Sequence, residues 1–524
     1  MNQHTGNREY RMGSLYYLLA AAAIVALFLL ALNNIMTYLN HNEHMYIAAA
    51  VFVKDNYALY RDFAFLQMPL LPLLYGYTYT LLGTDHYLLI GKLFSCLFYI
   101  LSGSVVFFLA RRLLRGFFLS SGVLVLYVLN TTVLQAAQES SNYILPIAAS
   151  FIAFYLYVSS LNPHAIKRVG ILLAGILVAV AIGTKAYYGV IMFPFIMTSL
   201  LFPRAYSMQK RVTLVLIPLV CGILIGLLPV LCCFARAPGP FLFNNLGYHG
   251  LNAQWRAMND TSMTLVSKVG YARQVLFSYE NVVPVLGPVL CFFFAFFSGA
   301  VDTPGKFLNS ISAELCLSLS LFVVAVPAIL IPTPTWLQYF AMPVSFSFLL
   351  LISSFAWSQP FSKYLTRAAF SSFVLLAFVC GTPYLLLKTV GKPWVGMDVH
   401  SVAQRIRSEI AAEPVESMKM ATLSSLYAVE ANIPIYHELA TGPFLYRVGD
   451  LLGSEERSRM HGTSPQTIEE LLEQDPPAAV FVGFHGDLDA PLRRYAESSN
   501  YRKVSGQFHG GQLYVRIARP KGRR

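Results

Sequence analysis

Charge is what this sequence has least of. Only 12% of its 524 residues are Asp, Glu, Lys or Arg, about half of the roughly 25% carried by soluble domains. So little charge cannot coat a water-facing surface, which excludes an ordinary soluble enzyme. The net charge of +12 does not point to nucleic acid either, because the basic residues fall in short clusters between apolar runs. Cysteine is equally uninformative. All seven (Cys96, Cys221, Cys232, Cys233, Cys291, Cys316 and Cys380) lie within apolar runs, so neither a disulfide framework nor a metal-ligand spacing is visible. Internal repeats, low-complexity tracts and a glycine-rich phosphate cradle are missing as well.

What the chain does have is long apolar runs. A spanning helix needs about 20 largely apolar residues, and candidates fall near 14–39, 86–109, 117–134, 143–160, 169–184, 187–202, 212–234, 281–300, 313–331, 335–356 and 368–387. The first follows Arg8 and Arg11 and is too long for a signal-peptide core, so it is expected to remain as an anchor. The segment 68–82 is apolar but short and interrupted by prolines, and reads as interfacial. Basic clusters such as Arg111-Arg112, Lys167-Arg168 and Lys210-Arg211 then share one side, which the positive-inside rule makes cytoplasmic together with the N-terminus. The expected fold is an all-α polytopic membrane protein of about 11 transmembrane helices (residues 1–388), with interfacial helices in a first outer loop near 40–85 and a second large outer loop near 235–280. Residues 389–524 are expected to form a small extracytoplasmic α/β domain: "MKMATL", "AAVFVGF" and "GQLYVRIA" read as strands, "LYAVEA" and "LRRYAESS" as helices.

Ionisable groups at membrane depth are costly, which makes them functional candidates. Glu43, Lys92, Glu139 and Lys185 gather at the outer ends of spans, with His41, His44, Asp55, Arg61, Asp62 and Asp85 nearby. Glu43, in "HNEHMY", heads an interfacial helix over 42–54 and is placed to act as a general base; a solvated loop carboxylate is the alternative. Lys185, in the tight corner "AIGTKAYYGV", can reach an anionic headgroup or snorkel to lipid, and Lys92 has the same two readings. Glu139 in "QAAQESSNYIL" is a second carboxylate or a solvated one, and Gln338 and Tyr339 sit in the proline-bounded corner "PTPTWLQYFAMP". Glu314 reads as snorkelling near an inner end, His249 lacks partner spacing for a metal, and Tyr427, Glu430 and Tyr436 read as structural.

In order, these elements resemble the GT-C superfamily of polyprenyl-phosphate-dependent glycosyltransferases, especially the branch of protein O-mannosyltransferases and lipid A aminoarabinose transferases. The family's acidic pair followed by tyrosine is matched by "NEHMY", Asn42-Glu43 with Tyr46. Its Y-x-D element is matched by "YRDF", its proline-led segment by "QMPLLPLLYGY", its basic residue on the second span by Lys92, its TK corner by Thr184-Lys185, and its aromatic corner by "LQYFAMP". Asn42 stands where the family usually has aspartate, and Met68 where aminoarabinose transferases carry lysine.

The resemblance implies a polyprenyl-phosphate sugar donor in the bilayer and an envelope glycan, lipid or protein acceptor, joined by one inverting displacement. The base role falls on Glu43 beside Asn42. Lys185, helped by Lys92 or Arg61, would hold the leaving phosphate, and Tyr46, Asp62, Glu139, Gln338 and Tyr339 would contact substrate. A bacterial inner membrane is the expected location. Some relatives use a divalent metal, but Glu43, Asp62 and Glu139 do not call for one, and no nucleic-acid partner is expected. A transporter or lipid-linked-sugar flippase, and a catalytically altered homologue, remain the competing readings.

Overall fold

Apolar runs in this chain fold as helices because a helix satisfies its own backbone hydrogen bonds where water cannot. The computed structural model describes residues 3–162, 164–297, 310–358, 386–414 and 418–517, with side chains from residue 17 onward. Its first half holds α1 (Gln3–Thr37), α2 (Glu43–Lys54), α3 (Leu70–Leu82), α4 (Tyr87–Leu114), α5 (Phe117–Val128), α6 (Thr131–Gln138), α7 (Ile144–Ser160) and α8 (Arg168–Thr184). Further helices cover 208–236, Val282–Phe297, Ala313–Ala328 and Ala341–Ser358. Helices thus occupy every predicted span except 368–387, which falls almost wholly outside the described residues. Among those residues, Tyr17–Thr37, Tyr87–Leu114, Met208–Gly226 and Leu337–Ser358 are long and apolar enough to cross a membrane alone. Five shorter apolar helices accompany them. The protein is an integral membrane protein built on a helical bundle.

Two differences from the sequence reading matter for function. The run 117–134 is not one straight helix, since α5 and α6 meet at a 57° bend. Asn130 makes the break: its side chain accepts the Val133 N–H at 3.0 Å, capping α6, and donates to Asn281 Oδ1 at 2.8 Å. The bend aims the end of α6, with Glu139, across the bundle. The second difference is α2, where every residue from Glu43 to Phe52 is buried. One face packs so tightly on α3 that a Cβ on Gly76 would lie 2.7 Å from the Ala50 carbonyl. On another side, Ser425 donates to the His44 carbonyl at 3.2 Å. The interfacial helix thus lies inside protein, where Met45, Ile47, Ala48 and Val51 meet side chains.

The C-terminal α/β region carries four strands, β1 (Met420–Ala421), β2 (Ala479–Val482), β3 (Tyr501–Lys503) and β4 (Gln512–Arg516), in the order β1-β2-β4-β3. β1 runs parallel to β2, with Met420 opposite Ala479, and the remaining pairs are antiparallel. β3 escapes the sequence reading because "YRK" is short, charged and partly exposed. This sheet region sits on the end of the bundle where α2 begins. Arg447 donates to Asn252 Oδ1 at 2.7 Å, and the His461 imidazole to the Arg61 carbonyl at 2.7 Å.

Small residues let membrane helices touch backbone to backbone. Where α8 crosses Ile217–Gly226, a Cβ on Gly175 would lie 2.2 Å from the Leu219 carbonyl, and one on Gly222 2.1 Å from that of Leu172. Gly222→Ala is expected to destabilise the bundle by about 1–3 kcal/mol, the cost of overpacking a tight contact, visible as a lower melting temperature in detergent; an unchanged melt would mean these helices do not meet so closely.

Candidate active site

The end of α1, the start of α2, the second turn of α4 and the end of α6 converge on a single buried ion pair. Lys92 and Glu43 are both fully buried, with Nζ 2.7 Å from Oε1. The ammonium also donates to the Tyr38 and Gln138 carbonyls, at 2.6 and 2.5 Å. Glu43 Oε1 accepts the Ser140 N–H at 2.7 Å and Oε2 the Asn40 N–H at 2.8 Å. Glu43 thus meets a cation directly as well as two backbone N–H groups. Glu43 and Lys92 tie chain segments together.

The carboxylate beside this pair is differently placed. Glu139 is 2% exposed and is held almost entirely by amides. Its Oε1 accepts from Asn40 Nδ2 and Gln338 Nε2, each at 2.8 Å. Its Oε2 accepts from Asn42 Nδ2 at 3.2 Å and Ser141 Oγ at 3.3 Å. The Asn42 side chain therefore orients a carboxylate contributed by another helix. The longer contacts on Oε2 leave that oxygen the less tightly held of the two.

Lys185 completes the cluster. The sequence turns out of α8 here, with the lysine in extended conformation as its C-cap, and the following "AYYG" forms a 3₁₀ turn whose tyrosines fold back. The ammonium is buried and donates to Asn142 Oδ1 at 2.8 Å. It lies 3.5 Å from the centroid of the Tyr143 ring, 5.2 Å from Tyr187 and 5.3 Å from Tyr339. Among the described residues, no carboxylate comes within ion-pair distance of it; Glu139 acts on it only through space. Tyr46 faces the same space, near Glu139, Tyr339 and Asn142. His249 borders it too, its imidazole pushed down by burial and by the Lys185 charge.

The structure thus gathers Asn42, Tyr46, Glu139, Lys185, Gln338 and Tyr339, and sets Glu43 and Lys92 directly behind them. It leaves Arg61 and Asp62 apart. These two pair with each other at 2.8 Å on an exposed turn, where Asp62 also caps the Ala58 N–H at 2.7 Å. Sequence reading missed Asn40, Asn142, Tyr143 and Tyr187. A signal existed, for Asn142-Tyr143 lies in the same stretch as Glu139, and Tyr187-Tyr188 directly follows the lysine corner. It also missed Arg447, which donates to the Tyr248 hydroxyl at 3.2 Å and stacks 5.3 Å from Trp255, closing the site from the C-terminal region.

Compared with known proteins, no family model matches the chain, and no curated protein sequence does. Solved structures do. The chain is similar to ArnT from Cupriavidus metallidurans bound to undecaprenyl phosphate, with TM-score 0.58 and 14% identity over 96% of this chain and 98% of that one. It is also similar to the Archaeoglobus fulgidus oligosaccharyltransferase, in the apo form (TM-score 0.51, 14% identity, 95% of this chain and 74% of that one). The form of that enzyme in complex with Zn and sulfate gives TM-score 0.51 at 11% identity over 94% and 73%. These likenesses establish the fold, which the chain shares with ArnT and the archaeal oligosaccharyltransferase.

Removing one member of a buried ion pair strands the other, at about 3–5 kcal/mol. Lys92→Met is expected to lower the melting temperature of the purified protein sharply, and Lys92→Met combined with Glu43→Gln to recover much of that loss. Additive losses in the double variant would contradict the pairing.

Proposed function

We propose that this GT-C-fold chain is a glycosyltransferase that moves a sugar from a polyprenyl-phosphate carrier to an acceptor hydroxyl by a single inverting displacement. The observation that carries this reading is the buried Lys185 ammonium, caged by tyrosine faces and one amide oxygen and lacking an anionic partner among the described residues. A buried cation without a counter-charge is costly, and a lipid phosphate brings the missing charge. The similarity to a structure bound to undecaprenyl phosphate supports a lipid phosphate over other anions.

The chemistry follows from the neighbours. Glu139 accepts the proton of the incoming hydroxyl at Oε2, which Asn42 and Ser141 hold loosely, while Gln338 and Asn40 fix Oε1. The acceptor oxygen forms its bond to the anomeric carbon as the bond from that carbon to the phosphate oxygen breaks. Negative charge grows on the departing phosphate, where the Lys185 ammonium stabilises it more in the transition state than in the ground state. Glu43, expected from sequence to be the base, positions this apparatus through Lys92. Asn42, standing where relatives have aspartate, turns Glu139 toward the acceptor. Tyr46, Tyr339 and His249 line the sugar's path, and Arg447 and Tyr248 bound the acceptor side. The site opens on the outer face of a bacterial plasma membrane, with the N-terminus cytoplasmic and residues 389–524 an extracytoplasmic domain.

The test is transfer from radiolabelled polyprenyl-phosphate sugars by purified protein in nanodiscs. Glu139→Gln is expected to cut kcat by about 10²–10⁴, the usual worth of a general base. Lys185→Ala is expected to lose about 10²–10³ in kcat/KM for the donor. Full activity in Glu139→Gln would sink the base assignment, and unchanged donor kinetics in Lys185→Ala would remove the phosphate assignment.

A further inference from the structure

Away from this site, the turn that ends α3 meets the first helix of the C-terminal α/β region. Gly83 closes α3 in the left-handed conformation with φ 59°, and the Thr84 hydroxyl accepts the His86 N–H at 3.1 Å. This fixes Asp85 and His86 at the head of α4. The helix Val395–Ala411 starts against the same spot, so closely that a Cβ on Gly396 would lie 2.7 Å from the Leu89 Cα. One turn later it delivers His400, whose ring sits 3.9 Å from that of His86, centroid to centroid.

One ligand atom each from Asp85, His86 and His400 lie within 4.8 Å of one another. Four-coordinate zinc, with bonds of about 2.0–2.2 Å, needs donor atoms roughly 3.3–3.6 Å apart, so the set has to close by at most about 1.5 Å. Two further observations point to a ligand. His86 Nδ1 is buried and has no hydrogen-bond partner. His400 Nδ1 lies 2.8 Å from Oε2 of the fully buried Glu430, whose Oε1 accepts the Leu88 N–H at 2.6 Å. A carboxylate that takes the Nδ1 proton leaves Nε2 with its lone pair outward, the arrangement that supports metal-bound histidines. The Gln404 amide meets that atom at 3.3 Å, and the Asp85 backbone lies against the same imidazole.

We propose that Asp85, His86 and His400 form a binding site for a divalent transition metal of the zinc class, with Glu430 as its positioning carboxylate. Two imidazoles and one carboxylate suit zinc, cobalt or nickel better than the all-oxygen preferences of magnesium or calcium. The ion would join the start of α4 to the C-terminal region, clamping that region over the bundle. None of these residues contacts Glu139 or Lys185, so the role is structural and independent of the transfer reaction.

The test uses full-length protein without a polyhistidine tag, in nanodiscs and stripped with EDTA. Titration with Co²⁺ is expected to give visible d–d bands saturating at one equivalent, lost on addition of Zn²⁺. Zn²⁺ is expected to raise the melting temperature by mass action and to protect His86 and His400 from diethyl pyrocarbonate. His86→Gln and His400→Gln should each weaken Zn²⁺ binding at least 100-fold. Glu430→Gln should weaken it about 10–100-fold while the Co²⁺ band shape is kept. Wild-type protein that fails to bind one equivalent of Co²⁺, or in which Zn²⁺ leaves both histidines equally reactive, overturns the proposal even if the variants do not fold. Wild-type affinity in His86→Gln or His400→Gln overturns it too.

Discussion

The buried Glu43–Lys92 pair is the constraint from which the rest of the site follows. Ionised groups in so dry a place need compensation on every atom, and the chain supplies it from the Tyr38 and Gln138 carbonyls and the Asn40 and Ser140 N–H groups. These partners are the ends of helices. Satisfying the pair therefore fixes where α1 stops, where α2 starts and where α6 delivers Glu139. Asn42 and Glu139 are immediate chain neighbours of the groups so pinned, and their 3.2 Å contact is a consequence of the pair behind them.

With Glu43 paired to Lys92, the two other buried charges of the cluster stand apart. Glu139 has four side-chain donors and, among the described residues, no direct cation. Lys185 has aromatic faces and one amide oxygen but no direct anion among the described residues. The two do not neutralise each other by contact, which in the proposed reaction would keep one available for a proton and the other for a phosphate. Tyrosine faces make this arrangement affordable, because their negative quadrupole steadies a cation without quenching it.

Much of this was legible from residue order. Hydropathy runs located the helices, the charged segment at Glu43 announced a helix outside the first span, and the strands around Met420, Ala479 and Gln512 stood out as apolar runs. The bend at Asn130 was hidden because an asparagine in an apolar run reads as a tolerated polar residue until its cap contacts are seen. Glu43 drew the base assignment through its position beside Asn42. Its contact just past α6, the Ser140 N–H, lies 97 residues away, a pairing that local sequence does not encode. Glu139 and Lys185 were visible as polar intrusions; that one is held by amides and the other caged by tyrosines emerges only when four helix ends meet.

The account's central claim is that Lys185 receives the phosphate of a lipid carrier. The most direct measurement is a structure of the protein in nanodiscs with undecaprenyl phosphate. The account predicts the phosphate within hydrogen-bonding distance of Lys185 Nζ, on the side facing Glu139, with the isoprenoid tail leaving between helices. A phosphate bound elsewhere, with the tyrosine cage around Lys185 unchanged and empty of anion, would contradict it.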